Sequence, residues 1–111
     1  MKAFIKVTKA LSDPNRVKIM KLLQQGAMFV SEIQSVLGIS QPSISKHLKV
    51  LENAGLVSFQ KQGRWVRYRL ANGAGSPYAA SFLGSLRHWL ENAPEITELQ
   101  DRLSCIQKVK V

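Results

Sequence analysis

Hydrophobic residues recur at helical spacing through the first half of the chain and predict several short helices. The first is expected over residues 2–11. The second follows Asp13, a predicted N-cap, with Pro14 in the first helical position and Gly26 as its end. The third is the stretch "VSEIQSVLG", which its own glycine ends.

The fourth helix, "ISQPSISKHLKVLENAG", carries the clearest pattern. Ser40 is its predicted N-cap, Pro42 lies in its first turn and Gly55 ends it. Three apolar residues at positions i, i+4 and i+7 form its predicted core stripe: Ile44, Leu48 and Leu51. Two short helices joined by a tight turn with a glycine form the outline of a helix-turn-helix.

The hydrophobic period changes to two in "LVSFQKQGRWVRYRLA", which predicts a two-stranded hairpin with one apolar face. Residues 72–77 read as a linker. Pro77 then opens a helix whose inward residues are expected to be Phe82, Leu83, Leu86 and Leu90. A last helix starts at Pro94, with a narrow seam of coiled-coil type made of Ile96, Leu99, Leu103 and Ile106.

These elements predict a mainly α fold with a small β-hairpin, in the order α-α-α-α-β-β-α(-α). Such an order fits a winged helix-turn-helix domain, and 111 residues fit a single domain spanning 1–111. A chain of this size often gains stability by burying further surface in an oligomer.

Charge is the main compositional signal, with a net charge of +9 and a sequence pI near 10.1. Residues 1–90 hold thirteen of the sixteen cations but only three of the seven acids. A basic body indicates a polyanionic partner, most often nucleic acid. Charge alone leaves open an ordinary solvated basic surface.

A single cysteine, Cys105, rules out an internal disulfide framework and fits a reducing compartment. Lysines interrupt the first thirteen residues too often for a signal peptide, and no apolar run is long enough for a membrane span. We therefore expect a cytoplasmic protein with no membrane partner.

The outward face of the fourth helix holds short polar groups and cations, which suit a DNA major groove. Small hydroxyl and amide groups can approach base edges, and flanking lysines can contact phosphates. His47, at the edge of the core stripe, fits either a phosphate contact or a structural role. The candidate DNA-binding residues of this helix are Gln41, Pro42, Ser43, Ser45, Lys46, His47 and Lys49.

The basic hairpin that follows looks like a wing that lies along the DNA backbone. Arg64, near its tip, is the candidate for insertion into the minor groove. Phosphate contacts are expected from Lys61, Arg67 and Arg69. We expect Trp65 to pack against the domain flank rather than to stack on bases.

Three segments, "ALSDPNRVKIMKLL", "ISQPSISKHLKVLENAGLV" and "GRWVRYRL", resemble the ArsR/SmtB family of winged-helix repressors. The resemblance covers roughly residues 7–71 and implies a homodimeric repressor of double-stranded DNA. It further implies that the terminal helices, 2–11 and 77–108, form the dimer interface. Two recognition helices would read an inverted repeat, and an effector would release the DNA.

The sensing sites of that family are poorly represented here. Its Cys-Val-Cys thiolate motif corresponds to Phe29-Val30-Ser31, which argues against soft-metal sensing because such ions need thiolates. His88, beside Arg87, is expected to be a surface or packing residue, so we expect no metal and no cofactor. Cys105 could pair with its copy across a dimer as a redox or arsenical sensor, or serve as a small apolar residue of the seam.

No catalytic constellation is present, so an enzyme is not expected. Two alternatives to a sequence-specific regulator stay open. One is a winged-helix module for protein–protein contacts, and the other is a nonspecific nucleic-acid-binding protein. RNA binding is a weaker alternative, because an open sheet of stacking aromatics is missing.

Overall fold

The computed structural model describes the backbone of residues 1–109 and the side chains of residues 1–106, so the last two residues of the expected domain 1–111 lie outside it. The described part contains helices α1 to α6, strands β1 to β3 and one short 3-10 helix. In chain order they are α1 Lys2–Ala10, α2 Pro14–Gln24, β1 Met28–Phe29, α3 Val30–Leu37, α4 Gln41–Asn53, β2 Val57–Gln62, β3 Trp65–Leu70, α5 Pro77–Ser85, the 3-10 helix Leu86–His88 and α6 Pro94–Val109.

The predicted start of α2 is confirmed by its capping bonds. The Asp13 carboxylate accepts hydrogen bonds from the backbone N–H groups of Asn15 (2.8 Å) and Arg16 (3.2 Å), and Pro14 takes the first helical position. The helix ends at Gln24, two residues before the predicted glycine.

Helix α4 is also capped as predicted. The Ser40 hydroxyl accepts from the backbone N–H of Ser43 at 3.3 Å, and Gly55 takes a φ of +78° that lets the chain turn toward the sheet. All three residues of the predicted core stripe, Ile44, Leu48 and Leu51, are fully buried. Their burial fixes which side of α4 faces outward.

The sheet has three antiparallel strands in the order β1-β3-β2, so the predicted hairpin is present and has one additional strand. In β1, Met28 pairs with Tyr68 and Phe29 pairs with Arg67. Two residues are too short to show a period of two, which is why the sequence pattern did not predict this strand.

The segment after α5 differs from the prediction. Helix α5 stops at Ser85, and Leu90, expected to face inward, is 49% exposed with a φ of +59°. The physical reason is Lys21 of α2, whose side chain is buried. Its ammonium donates to the carbonyls of Leu86 (3.1 Å) and Trp89 (2.8 Å) and to Glu91 Oε1 (3.0 Å), which holds this segment as a turn.

The seam of α6 is buried within the same chain. Ile96, Leu99 and Leu103 are at most 5% exposed and belong to the core, and α6 packs against α2 and α3. Arg102 adds a hydrogen bond from Nη1 to the Val36 carbonyl of α3 at 3.3 Å. Cys105 is exposed, so it does not fill the seam as a small apolar residue.

Within the described residues, no helix combines the length and the apolar character that crossing a bilayer requires.

We predict that Asp13→Ala lowers the free energy of unfolding by about 1 kcal/mol, because two N–H groups at the start of α2 lose their acceptor. Asp13→Asn should retain most of the stability. Urea unfolding at neutral pH checks both, with Asp101→Ala, an exposed residue of α6, as the control.

The cap also predicts a pH dependence. Partial burial alone would raise the pKa of Asp13, but the backbone N–H groups of Arg16 and Asn15 lower it from 3.8, and the charge of the Arg16 guanidinium lowers it further. The stabilisation is therefore fully present above pH 3.8 and is lost as the pH falls through the lower folded-state pKa. The stability gap between wild type and Asp13→Ala should close in acid. A gap that stays constant down to pH 2 would contradict this explanation.

We predict that Lys21→Met destabilises the protein by about 1–3 kcal/mol, because the carbonyls of Leu86 and Trp89 lose their donor. Urea unfolding at fixed protein concentration measures the loss. Lys61→Met removes the same charge from an exposed position and should be close to neutral. Equal stability of the two variants would show that the buried ammonium does not organise the turn.

Candidate nucleic-acid interface

The face of α4 opposite its core stripe is open to solvent. Because Ile44, Leu48 and Leu51 anchor the other side, the outward residues cannot rotate into the protein. Five of the seven predicted DNA-binding residues of this helix are exposed: Gln41, Pro42, Ser45, Lys46 and Lys49. This face offers an amide, a hydroxyl and two ammonium groups on a rigid helix.

Ser43 is half-buried and takes part in the cap of α4. Its backbone N–H donates to Ser40 Oγ, and its hydroxyl oxygen accepts from the Ser40 hydroxyl at 2.9 Å. The pair fixes the first turn of the helix, beside Gln41. Ser43 therefore supports the shape of this end of α4 as well as offering a polar group.

His47 is half-buried and contacts a residue of another helix. Its Nδ1 lies 3.4 Å from Nη1 of Arg16 on α2. The sequence pattern fits either a structural role or a phosphate contact for His47. The contact with Arg16 gives the ring a structural partner through one nitrogen, and the other nitrogen is left for a second partner.

Three of the four predicted cations of the wing, the hairpin β2–β3, are exposed: Lys61, Arg64 and Arg69. The fourth, Arg67, is half-buried, and its guanidinium carbon lies 4.7 Å from the centroid of the Phe29 ring. The Arg67 Nε is buried without a hydrogen-bond partner among the described residues. Arg67 thus packs on β1 rather than extending freely into solvent.

The tip of the wing and the start of α4 share one concavity of about 250 Å³. Gln41 lines it from the helix, Arg64 and Trp65 line it from the wing, and the first residues of α3 also line it. Trp65 contacts Phe29 edge-on at a centroid distance of 6.2 Å but is 58% exposed. Its expected packing against the domain flank is therefore only partial.

One side of the wing is held by aromatic packing, although Phe59 on this side is 42% exposed. The rings of Phe59 and Tyr68 are 5.7 Å apart on paired strand positions. Burial raises the pKa of Tyr68, and the nearby Glu52 carboxylate of α4 raises it further. The phenol therefore stays neutral at physiological pH and serves the wing as a packing group.

In the described part of the chain, no group of three or more His, Cys, Asp and Glu residues is arranged to hold a metal ion. Val30 and Ser31 begin α3, and the Phe29 ring lies beneath Arg67. His88 is exposed and accepts a hydrogen bond from the Arg87 Nε at 3.3 Å, as expected of a surface histidine.

Two residues that shape this interface were not predicted from the sequence. Phe29 packs against both Arg67 and Trp65, and the apolar run "AMFV", from Ala27 to the first residue of α3, was the available signal. Arg16 contacts His47 across 31 residues of sequence, and no local pattern could have indicated that pairing.

A fixed helix of polar and cationic groups, followed at once by a basic hairpin, defines a winged helix-turn-helix DNA-binding domain. Comparisons with known proteins agree. The family model described as "Bacterial regulatory protein, arsR family" matches residues 13–58. The transcriptional repressor SdpR of Bacillus subtilis (strain 168) is 44% identical over 64 residues, which cover 58% of this chain and 71% of SdpR.

Solved structures extend the similarity beyond the matched segment. HlyU from Vibrio cholerae N16961 superimposes with a TM-score of 0.67 and 27% identity, over 81% of this chain and 95% of HlyU. The homodimeric winged helix-turn-helix DNA-binding domain of Mb0332 from Mycobacterium bovis gives a TM-score of 0.66 and 28% identity, over 78% and 77%. The chain belongs to the ArsR family of bacterial regulatory proteins and is a winged-helix DNA-binding transcriptional regulator.

Proposed function

We propose that this chain is a homodimeric transcriptional repressor that binds an inverted-repeat operator through two copies of the α4–wing surface. The observation that carries the proposal is the continuity of that surface, since Gln41 of α4 and Arg64 of the wing line the same concavity. SdpR, described as a transcriptional repressor, and the homodimeric Mb0332 domain support the proposed output and assembly.

The two parts of the surface have different chemistry and so different proposed roles. Gln41, Ser43 and Ser45 are short and neutral, and can hydrogen-bond to base edges in the major groove, with Lys46 beside them. Lys49 and the wing cations carry charge on flexible stems and suit phosphates. Arg64, exposed near the wing tip, is the proposed minor-groove contact.

The proposed dimer surface is an exposed cluster of apolar side chains on α1, on α5 and in the turn after α5. Phe4 contacts Tyr78 edge-on with ring centroids 5.3 Å apart, and Phe82 contacts Trp89 at 5.0 Å. Five large apolar side chains of this surface are at least 40% exposed: Phe4, Ile5, Tyr78, Trp89 and Leu90. Exposed apolar groups on this scale are typical of an interaction surface.

The position of this surface reduces the number of helices that we expect in the dimer interface. The terminal segments 2–11 and 77–108 were both expected to contribute, but the apolar seam of α6 is already used inside the chain. We therefore place the interface on α1, α5 and the turn, and leave α6 as part of the domain body. Release of the DNA by a small-molecule or redox effector stays part of the proposal, with Cys105 as an exposed thiol.

An interaction module that does not touch DNA is the alternative. The alternative does not require Lys61, Arg64 and Arg69 to be exposed beside the cations of α4, whereas DNA binding does. A nonspecific binder uses the same cations but needs no particular neutral groups between them.

Fluorescence anisotropy on DNA from upstream of the protein's own gene, against a scrambled duplex, distinguishes the three functions. A salt series is needed because phosphate contacts weaken steeply with salt. A specific regulator should prefer its site by about 10³ or more. Equal binding to both duplexes would indicate a nonspecific nucleic-acid-binding protein. No binding to either duplex at low salt would indicate the protein–protein interaction module.

We predict that Ser45→Ala changes the preference among operator variants, whereas Arg64→Ala weakens binding to all duplexes and reduces the salt slope by about one. Arg102→Gln removes one charge from α6 and should leave the affinity unchanged. Equal effects of Ser45→Ala and Arg64→Ala on specific and scrambled DNA would contradict this division of roles.

We predict that Trp89→Glu weakens the dimer about tenfold or more, because it puts a charge among the exposed apolar side chains of the proposed interface. Sedimentation equilibrium measures the effect. Trp65→Glu is the matched control, since Trp65 is 58% exposed on the wing and Trp89 is 45% exposed in the turn. A dimer weakened equally by both substitutions would place the interface elsewhere.

A further inference from the structure

Arg16 of α2 makes more side-chain contacts than its place at the start of a helix requires. Its Nε donates to the Ala10 carbonyl at 2.8 Å, and its Nη2 donates to the Lys9 carbonyl at 3.1 Å. Both carbonyls lie in the last turn of α1, where backbone acceptors lack intrahelical donors. A guanidinium at this end of α1 also complements the helix dipole.

The third branch of the same guanidinium reaches the recognition helix α4. Arg16 Nη1 lies 3.4 Å from His47 Nδ1. A guanidinium has donors only, so a hydrogen bond between Arg16 Nη1 and His47 Nδ1 needs Nδ1 as the acceptor. An accepting Nδ1 belongs to the neutral imidazole whose proton sits on Nε2, so this contact favours that tautomer of His47.

We infer that Arg16 is a positioning residue for DNA recognition, which joins the end of α1 to α4 and holds His47 as an Nε2–H donor. Among the described residues, His47 Nε2 has no hydrogen-bond partner. His47 lies on α4, the proposed recognition helix, so an Nε2–H donor held there is available to a phosphate of the DNA backbone.

The same contact gives Arg16 a second consequence, which rests on the proposed function. Helix α1 carries Phe4 and Ile5 of the proposed dimer surface, and Arg16 is bonded to the other end of that helix. In a dimer, the spacing between two recognition helices depends on how each α4 is held against α1. Arg16 therefore contributes to binding two half-sites together more than to binding one.

The first experiment reads the tautomer of His47 in the full chain without DNA, by long-range ¹H–¹⁵N correlation spectra. The wild type should show the proton on Nε2. Arg16→Gln should move the His47 ring signals toward a mixture of tautomers. Arg102→Gln is the matched control. Arg102 also links two helices, since this residue of α6 donates to the Val36 carbonyl of α3, but none of its hydrogen bonds reaches α4. It should leave the His47 signals unchanged.

The second experiment compares binding to the full inverted repeat and to a single half-site by anisotropy. Arg16→Gln should weaken binding to the full site by about tenfold, which is the size expected for one lost charge-assisted hydrogen bond. Binding to the half-site should weaken much less. A variant that is merely less stable would lose affinity for both DNAs alike. The double variant Arg16→Gln/His47→Gln should be no weaker than Arg16→Gln alone.

Arg16→Lys separates geometry from charge, since lysine keeps the charge but lacks the planar fork. Arg16→Lys should therefore show neither the wild-type tautomer of His47 nor the wild-type preference for the full site. Full restoration by lysine, a proton on Nδ1 in the wild type, or unchanged His47 signals in Arg16→Gln would each overturn the inference. Wild-type protein that binds no specific site would refute the proposed function, and the tautomer spectra would still test the Arg16–His47 contact.

Discussion

Burial of one stripe of α4 is the constraint on which the rest of the structure depends. Ile44, Leu48 and Leu51 are fully buried, and each contributes about 1.5–3 kcal/mol through the apolar surface it removes from water. Since these residues fix the rotation of α4 about its axis, they also decide which residues face outward. The polar face of the recognition helix is therefore set by its apolar one.

The wing depends on the same helix. Gly55 turns the chain directly out of α4, and Leu56 and Val57 are buried as β2 begins. The hairpin is then held on one side by Tyr68 and Phe59, and on the other by Phe29 beneath Arg67. Because both strands are anchored at their base, Arg64 near the tip stays close to the first turn of α4, where Gln41 lines the same concavity.

Two basic residues of α2 do not serve the DNA-binding surface through their charge. Lys21 is buried and satisfies two backbone carbonyls after α5, so that Trp89 and Leu90 lie exposed on the turn. Arg16 uses its guanidinium to close the end of α1 and to contact His47. In both cases a cation inside the fold connects the proposed dimer surface to the body of the domain. The net charge of the chain therefore overstates the number of cations available to a polyanion.

The sequence by itself determined most of the element order, because the signals are local. Asp13 and Ser40 cap helices with their own side chains, and the apolar period identifies the buried face of α4 without knowledge of its partners. The change of period at Val57 identified the hairpin, and the exposed residues of α4 followed from its stripe.

The tertiary structure alone decided the pairing of β1, the end of α5 and which helices the α6 seam packs against. Each of these rests on contacts between residues far apart in sequence: Phe29 with Arg67, Lys21 with Leu86, and Arg102 with Val36. A local pattern reports that a face is apolar or that a charge is present, but only the folded chain shows what that face or charge meets.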